Sequence, residues 1–249
     1  VTNDLEQQFK EIAHNIREGK LDLGRRVYAL TLAHSFYQAL LCGYRKFTAV
    51  ELGVATGNGL LDLCRATEYY SNRFDITVDI VGFDTGTGLP AIQDFRDHPE
   101  IWKSGDYSLG RGNLHNRLPA NAQLILGNVA DTVPRFCQQF QNSRLGFVSI
   151  DLDLYSSTVS AMPLFEMSAD QYLPAVPVYV DDMNNSITYN PWCGESLAIR
   201  NFNNRHELRK FEEKSAKWQI DNFHVLHVMD HPYRNGTIHP PNSLAIGPI

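Results

Sequence analysis

Long hydrophobic runs are missing from this sequence. No uninterrupted apolar stretch approaches the roughly 20 residues that a membrane-spanning helix needs, so a membrane is not expected as a partner. An excess of positive charge is missing too. Lys and Arg number 22 against 28 Asp and Glu, a formal net charge of -6, which argues against nucleic acid or an anionic membrane surface as the main partner. Cysteine is sparse: Cys42, Cys64, Cys137 and Cys193 form no C-x-x-C pair. Free thiols in a reducing compartment are the simplest account, and a zinc site built on cysteine is not expected. The opening "VTNDLEQQFKEIAHNIREGK" is polar and helical rather than a secretory leader, so the chain reads as cytoplasmic. No repeat, low-complexity tract or linker divides its 249 residues. The dinucleotide fingerprint G-x-G-x-x-G is absent as well. Counted from Gly53 its second glycine falls on Ala55, and counted from Gly57 its third falls on Asp62, so nothing favours a pyrophosphate.

What is present is a rhythm. Two helices open the chain. Asp4 is placed as an N-cap before a stripe of Leu5, Phe9, Ile12 and Ile16, and a second helix covers residues 25–42 up to Gly43. Residues 1–45 thus form an N-terminal helical extension, with more apolar surface than a free appendage carries, which admits a homodimer. Residues 46–249 form the main domain. There "KFTAVELG", "ITVDIVGFD", "AQLILG", "LGFVSID" and "AVPVYVDD" read as buried strands, and segments of helical periodicity intervene. Near-continuous apolar strands alternating with helices indicate an α/β domain, doubly wound around a mostly parallel sheet. "FHVLHVMD" and "NSLAIGPI" lack a helix between them and are expected as an antiparallel edge hairpin, making seven strands. "RKFEEK" reads as a solvated helix face. The polar, glycine-punctuated stretch of about 91–118, with Trp102 and Tyr107 among its charges, is expected to form a lid over a ligand.

"AVELGVATGNGLL" places Gly53, Gly57, Asn58 and Gly59 between the first strand and its helix, with Glu51 two residues before Gly53. Glycines at such a turn let the backbone approach a ligand and aim helix N-terminal N–H groups at an anionic end. The spacing resembles the E/D-x-G-x-x-x-G motif of S-adenosylmethionine-dependent methyltransferases. Asp84, ending the second strand in "VGFD", fits that resemblance, because a carboxylate there can accept both ribose hydroxyls of an adenosine. Gly127 and Asn128, after the third strand, would flank the adenine.

Asp151 and Asp153 end the fourth strand, and Asp181 and Asp182 end the fifth. In an open α/β sheet ligands bind beyond the carboxyl ends of the strands, so both pairs are expected to face one crevice. Converging carboxylates repel unless protonated or shared with a cation, and oxygen-only ligands suit Mg²⁺ better than zinc. Helix capping by these residues and by Ser156 and Ser157 is the competing account.

Three segments, "IDLDLYSSTVSA", "YVDDMN" and "GESLAIRNF", resemble the macrocin O-methyltransferase family, and "GFDTGTGLP" and "LILGNVADTVP" extend the likeness over about 50–202. That resemblance implies a Rossmann-like methyltransferase that uses S-adenosylmethionine and Mg²⁺ to methylate sugar hydroxyls. It implies metal ligands at Asp151, Asp181 and Asp182, with Asp151 also the base and Asp153 a second catalytic residue. Gly86 and Thr87 depart from the family, which usually has an aromatic residue and an acid there. The loop "MNNSITYNPWCG" is longer than the family's. The expected function is therefore O-methyl transfer to a small-molecule hydroxyl, on a sugar or another vicinal diol. Two alternatives remain: a protein that binds S-adenosylmethionine without turnover, and a metal-dependent hydrolase reusing the carboxylates. No histidine is promoted to a base, and Tyr155 is assigned to packing.

Overall fold

A computed structural model describes residues 2–109, 114–183, 189–215 and 219–233. The chain opens with α1 (Thr2–Arg17) and α2 (Arg26–Leu41). Asp4 lies in the first turn of α1 rather than capping it. The stripe of Phe9, Ile12 and Ile16 is buried, with the Phe9 ring stacked on Phe74 at 4.5 Å between centroids. Each such side chain stabilises by about 1.5–3 kcal/mol. The apolar face that suggested a homodimer is covered within the chain itself. In α2 every residue from Tyr28 to Ala39 is buried, as a helix enclosed on all sides must be.

The alternation then follows: β1 (Lys46–Leu52), α3 (Asn58–Phe74), β2 (Thr77–Asp84), β3 (Ala122–Leu126), α4 (Val129–Gln139), β4 (Leu145–Ile150), α5 (Tyr155–Ala161), β5 (Ala175–Val180), α6 (Gly194–Arg205), β6 (Arg209–Glu213) and β7 (Phe223–Val228). The seven strands are ordered β3-β2-β1-β4-β5-β7-β6. β1 to β5 pair in parallel, and β7 runs antiparallel to both β5 and β6. The two faces follow the strand period of two. Phe47 and Ala49 belong to the core shared with α1, α2 and α3, whereas Val50 and Leu52 belong to the core on the opposite face. Glu51 shares the parity of Phe47 and Ala49, so it points toward α2.

The edge hairpin differs from expectation in one partner. Residues 223–228 are a strand, but their hairpin partner is β6, the segment read as a solvated helix face. Arg209 and Phe211 are buried there, with Lys210 between them half-buried and Glu212 exposed, the strand alternation, which lapses at the exposed Glu213. "NSLAIGPI" lies outside the described residues. Between β2 and β3 the described residues of the insertion hold only short 3-10 turns, Phe95–Asp97 and Leu114–Arg117. No helix among the described residues is long and apolar enough to cross a membrane.

The strand order places a site. The chain winds outward from β1 through β2 to β3 and then restarts at β4 on the other side of β1. The carboxyl ends of β1 and β4 therefore diverge at a topological switch point, where α/β sheets bind ligands.

Candidate active site

The glycine loop after β1 is held by contacts that tolerate little else. Gly53 has φ +86°, and a Cβ built on it would lie 1.7 Å from the carbonyl oxygen of Asp151. The loop thus lies against the end of β4 because residue 53 has no side chain. Asp84, at the end of β2, fastens the same loop. Its Oδ2 accepts from the N–H groups of Val54 (3.0 Å) and Ala55 (2.9 Å), and its Oδ1 accepts from Gly86 N–H (2.6 Å). A carboxylate has about four acceptor sites, so these three bonds leave room for one ribose hydroxyl; accepting both requires a loop amide to let go. Asn128 also lines the cavity, its side chain capping α4 by accepting from Ala130 N–H at 2.9 Å.

Glu51 lies below the loop, 1 % exposed. Its Oε1 accepts from the Tyr28 hydroxyl at 2.9 Å, and that hydroxyl also bonds Ser149 Oγ at 2.7 Å. Burial pushes the Glu51 carboxyl up to about 8, against the pull of Tyr28 and Arg25.

The acidic strand ends are joined by a residue that the sequence did not single out. Glu195, in the first turn of α6, is fully buried. Its Oε1 accepts from Leu152 N–H (2.7 Å) and Asp153 N–H (3.3 Å), and its Oε2 accepts from Asp182 N–H (3.2 Å). One carboxyl group thereby binds the end of β4 to the end of β5. Burial, then the charges of Asp181, Asp153 and Glu51, hold Asp151 well above the usual carboxylate range. Burial, then Asp182, Asp181 and Asp106, push Asp153 up to about 7. Asp181 accepts from the Tyr179 hydroxyl at 2.5 Å.

These groups border one cavity of about 330 Å³, within the range of small-molecule sites. Gly53, Asp84, Asn128, Asp151, Asp153 and Asp181 all line it. Trp102 and Tyr107 from the insertion complete the wall. Glu51, Gly57, Asn58, Gly59, Gly127 and Asp182 stand behind this lining rather than in it. Gly57, at φ +87°, precedes α3, and Gly127 N–H donates to Asp84 O at 2.9 Å. The insertion is tied to the acidic side through Asp97, which is 0 % exposed. Asp97 accepts from Ser156 N–H (2.7 Å), the Ser156 hydroxyl (2.9 Å) and Gln93 N–H (2.7 Å). Ser156 is therefore a donor to the insertion.

The magnesium set expected on Asp151, Asp181 and Asp182 is not drawn together as the side chains stand. Among the described residues no three His, Cys, Asp or Glu side chains are grouped so as to hold a metal ion. Asp181 is engaged by Tyr179, Asp151 faces the Arg25 guanidinium at 3.9 Å, and the main chain of Asp182 is held by Glu195. The donors are hard oxygens whose chemistry suits Mg²⁺.

Sequence reasoning passed over Glu195, Arg25, Tyr28, Tyr179 and Asp97. Glu195 lay within a segment quoted for its likeness, and its place three residues after Pro191-Trp192 was the available signal; the others carried none.

No family model matches the chain, and no curated protein matches it in sequence. Solved structures do match. The calicheamicin methyltransferase CalS11 superposes with a TM-score of 0.56 at 19% identity, over 92% of this chain and 93% of that one. The O-methyltransferase NovP superposes with a TM-score of 0.50 at 17% identity, over 82% of this chain and 78% of that one. At such identities the likeness is one of fold, and the fold is the Rossmann-like one of these methyltransferases.

Proposed function

We propose that the chain is an S-adenosylmethionine-dependent O-methyltransferase acting on a hydroxyl of a small molecule, a sugar or another vicinal diol. The observation that carries this reading is the cavity at the switch point between β1 and β4, lined by a glycine loop and Asp84 together with Asp151, Asp153 and Asp181. Both CalS11 and NovP are methyltransferases by name, which supports the same class.

In this reading Asp84 takes a ribose hydroxyl, Asn128 stands beside the adenine, and the aspartates face the sulfonium. The cofactor supplies an electrophilic methyl group on positively charged sulfur. Attack by the acceptor oxygen on that carbon would form the C–O bond as the C–S bond breaks, with the electron pair going to sulfur. Asp151 takes the hydroxyl proton, with Asp153 the second candidate; of the two it is Asp153, pushed up to about 7 by burial and then by Asp182, Asp181 and Asp106, that is matched to neutral pH. The insertion excludes water as a lid, with Trp102 and Tyr107 over the reacting groups. Mg²⁺ on Asp151, Asp181 and Asp182 is the finest part of the proposal. It is supported by the hard oxygen donors of Asp151 and Asp181 on one cavity, where burial first and neighbouring carboxylates next raise Asp151 and Asp153, and it would lower the pKa of the acceptor hydroxyl.

Calorimetric titration of S-adenosylhomocysteine, with Mg²⁺ and then with EDTA, tests the reading. Micromolar binding that Asp84→Ala abolishes is the expected result, with a separate Mg²⁺ isotherm that disappears in Asp181→Ala. No binding of the nucleoside under any condition overturns the methyltransferase reading, and a missing Mg²⁺ isotherm overturns only its metal.

A further inference from the structure

We propose that Arg25, from the N-terminal extension, binds the α-carboxylate at the amino-acid end of the cofactor. This rests on the function proposed above and goes beyond it, because it makes the extension part of the cofactor site.

The argument begins with charge. Of the described residues lining the cavity, Arg25 is the only cationic one, against Asp84, Asp151, Asp153 and Asp181. S-adenosylmethionine brings a sulfonium, an ammonium and one carboxylate. The two cationic groups suit the acidic lining, but the carboxylate is repelled by every charged side chain there except Arg25.

The geometry keeps this guanidinium available. Its Nη1 donates to the Tyr28 hydroxyl at 3.4 Å, the single hydrogen bond of this side chain among the described residues. The nearest carboxylate oxygen, Asp151 Oδ2, is 3.9 Å away, beyond hydrogen-bonding reach. A guanidinium carries five N–H donors in a planar fork suited to a carboxylate, so most of them remain for a ligand.

The residue is also held in place. Its main-chain N–H donates to Asp62 Oδ2 in α3 at 3.1 Å, which fastens it to the helix that the glycine loop leads into. Gly24, at φ +85°, permits that approach, since a Cβ there would lie 2.3 Å from the Asp62 carboxyl carbon. The guanidinium carbon lies 5.2 Å from the centroid of the buried Tyr28 ring, a cation–π distance. Across from it Gly59 leaves an opening, because a Cβ there would meet Arg25 Cζ at 3.4 Å and Glu51 Oε1 at 2.2 Å. Tyr28 is a positioning residue in this arrangement, bonded beneath to Glu51 and Ser149.

Two ligands separate the amino-acid end from the rest of the cofactor. S-adenosylhomocysteine carries the carboxylate; 5′-methylthioadenosine has the same adenosine and thioether and lacks it. Calorimetry on the full chain is expected to show wild type binding the first at least about 10-fold more tightly than the second. Arg25→Met, which keeps an apolar stem over Tyr28, is expected to weaken S-adenosylhomocysteine about 10- to 100-fold and to leave 5′-methylthioadenosine within about twofold. Arg25→Lys is expected to recover part of the loss. Equal weakening of both ligands, or of neither, overturns the proposal, as does a wild type that binds the two equally. The wild-type comparison holds even if Arg25→Met fails to fold. Wild type that binds neither nucleoside overturns the methyltransferase reading itself.

Discussion

Glu51→Gln is the perturbation with the sharpest expected signature. The carboxyl group is 1 % exposed, its Oε1 accepts from Tyr28, and its Oε2 has no hydrogen-bond partner among the described residues. Burial raises its pKa from 4.5 to about 8. Between those values the unfolded chain has released the proton and the folded chain retains it. Stability therefore falls as pH rises through this window, by about 1.4 kcal/mol per unit. By pH 8 the accumulated cost is roughly 4 kcal/mol, and above pH 8 it levels off. Glutamine has nearly the same shape, and its carbonyl still accepts from Tyr28. Its amide brings donors that lack partners, a cost of roughly 1–3 kcal/mol that does not change with pH. The quantity to follow is thus the stability of Glu51→Gln minus that of wild type, from urea unfolding by circular dichroism between pH 5 and 9. Other carboxyl groups titrate in both proteins and largely cancel in the difference. It is expected to rise by about 1.4 kcal/mol per unit up to pH 8 and then flatten. A difference that stays constant across the range would refute the reasoning, because it would mean that Arg25 keeps the buried group ionised.

Gly53→Ala sets a side chain against the carbonyl of Asp151 at a positive φ, and no rotamer change relieves a backbone clash. A stability loss of about 2–4 kcal/mol is expected in urea unfolding, with loss of S-adenosylhomocysteine binding in titration. Asp97→Ala leaves Ser156 and Gln93 N–H groups without their acceptor, a loss of about 2–3 kcal/mol. Limited proteolysis is expected to cut the variant first within 91–118, and cleavage rates there equal to wild type would show that Asp97 does not hold the insertion.

The five parallel strands were legible because each is an apolar run ending in glycine or an acid, a pattern that a doubly covered sheet favours, although β3, expected as a buried strand, lies at the sheet edge with no buried position. β6 was not, because one of its two inward positions is charged. Arg209 is buried with its guanidinium 5.6 Å from the Tyr172 ring centroid, and in "RKFEEK" that charge disguises the period of two. The cavity-lining set of Gly53, Asp84, Asn128, Asp151, Asp153 and Asp181 was legible from its place at strand ends. Arg25 and Tyr28 were not, since a helix that is apolar all round gives no sign of which residue meets a strand more than twenty positions later. Asp97 was hidden among other charges, where burial alone distinguishes it.

The arrangement of the acids follows from Glu195. Like charges at the ends of two adjacent strands would drive those ends apart, yet three backbone N–H groups from both ends converge on one buried carboxyl. Those bonds fix the main chain, so the repulsion is expressed in protonation instead of displacement. Asp151, Asp153 and Glu195 all titrate above their ordinary range, with burial the leading cause and neighbouring carboxylates the next. Such a site is held ready for positive charge. In the function proposed above, a sulfonium, an ammonium or a divalent cation entering the cavity would draw these carboxyls back toward ionisation, and Arg25 would supply the exception that a zwitterionic end requires.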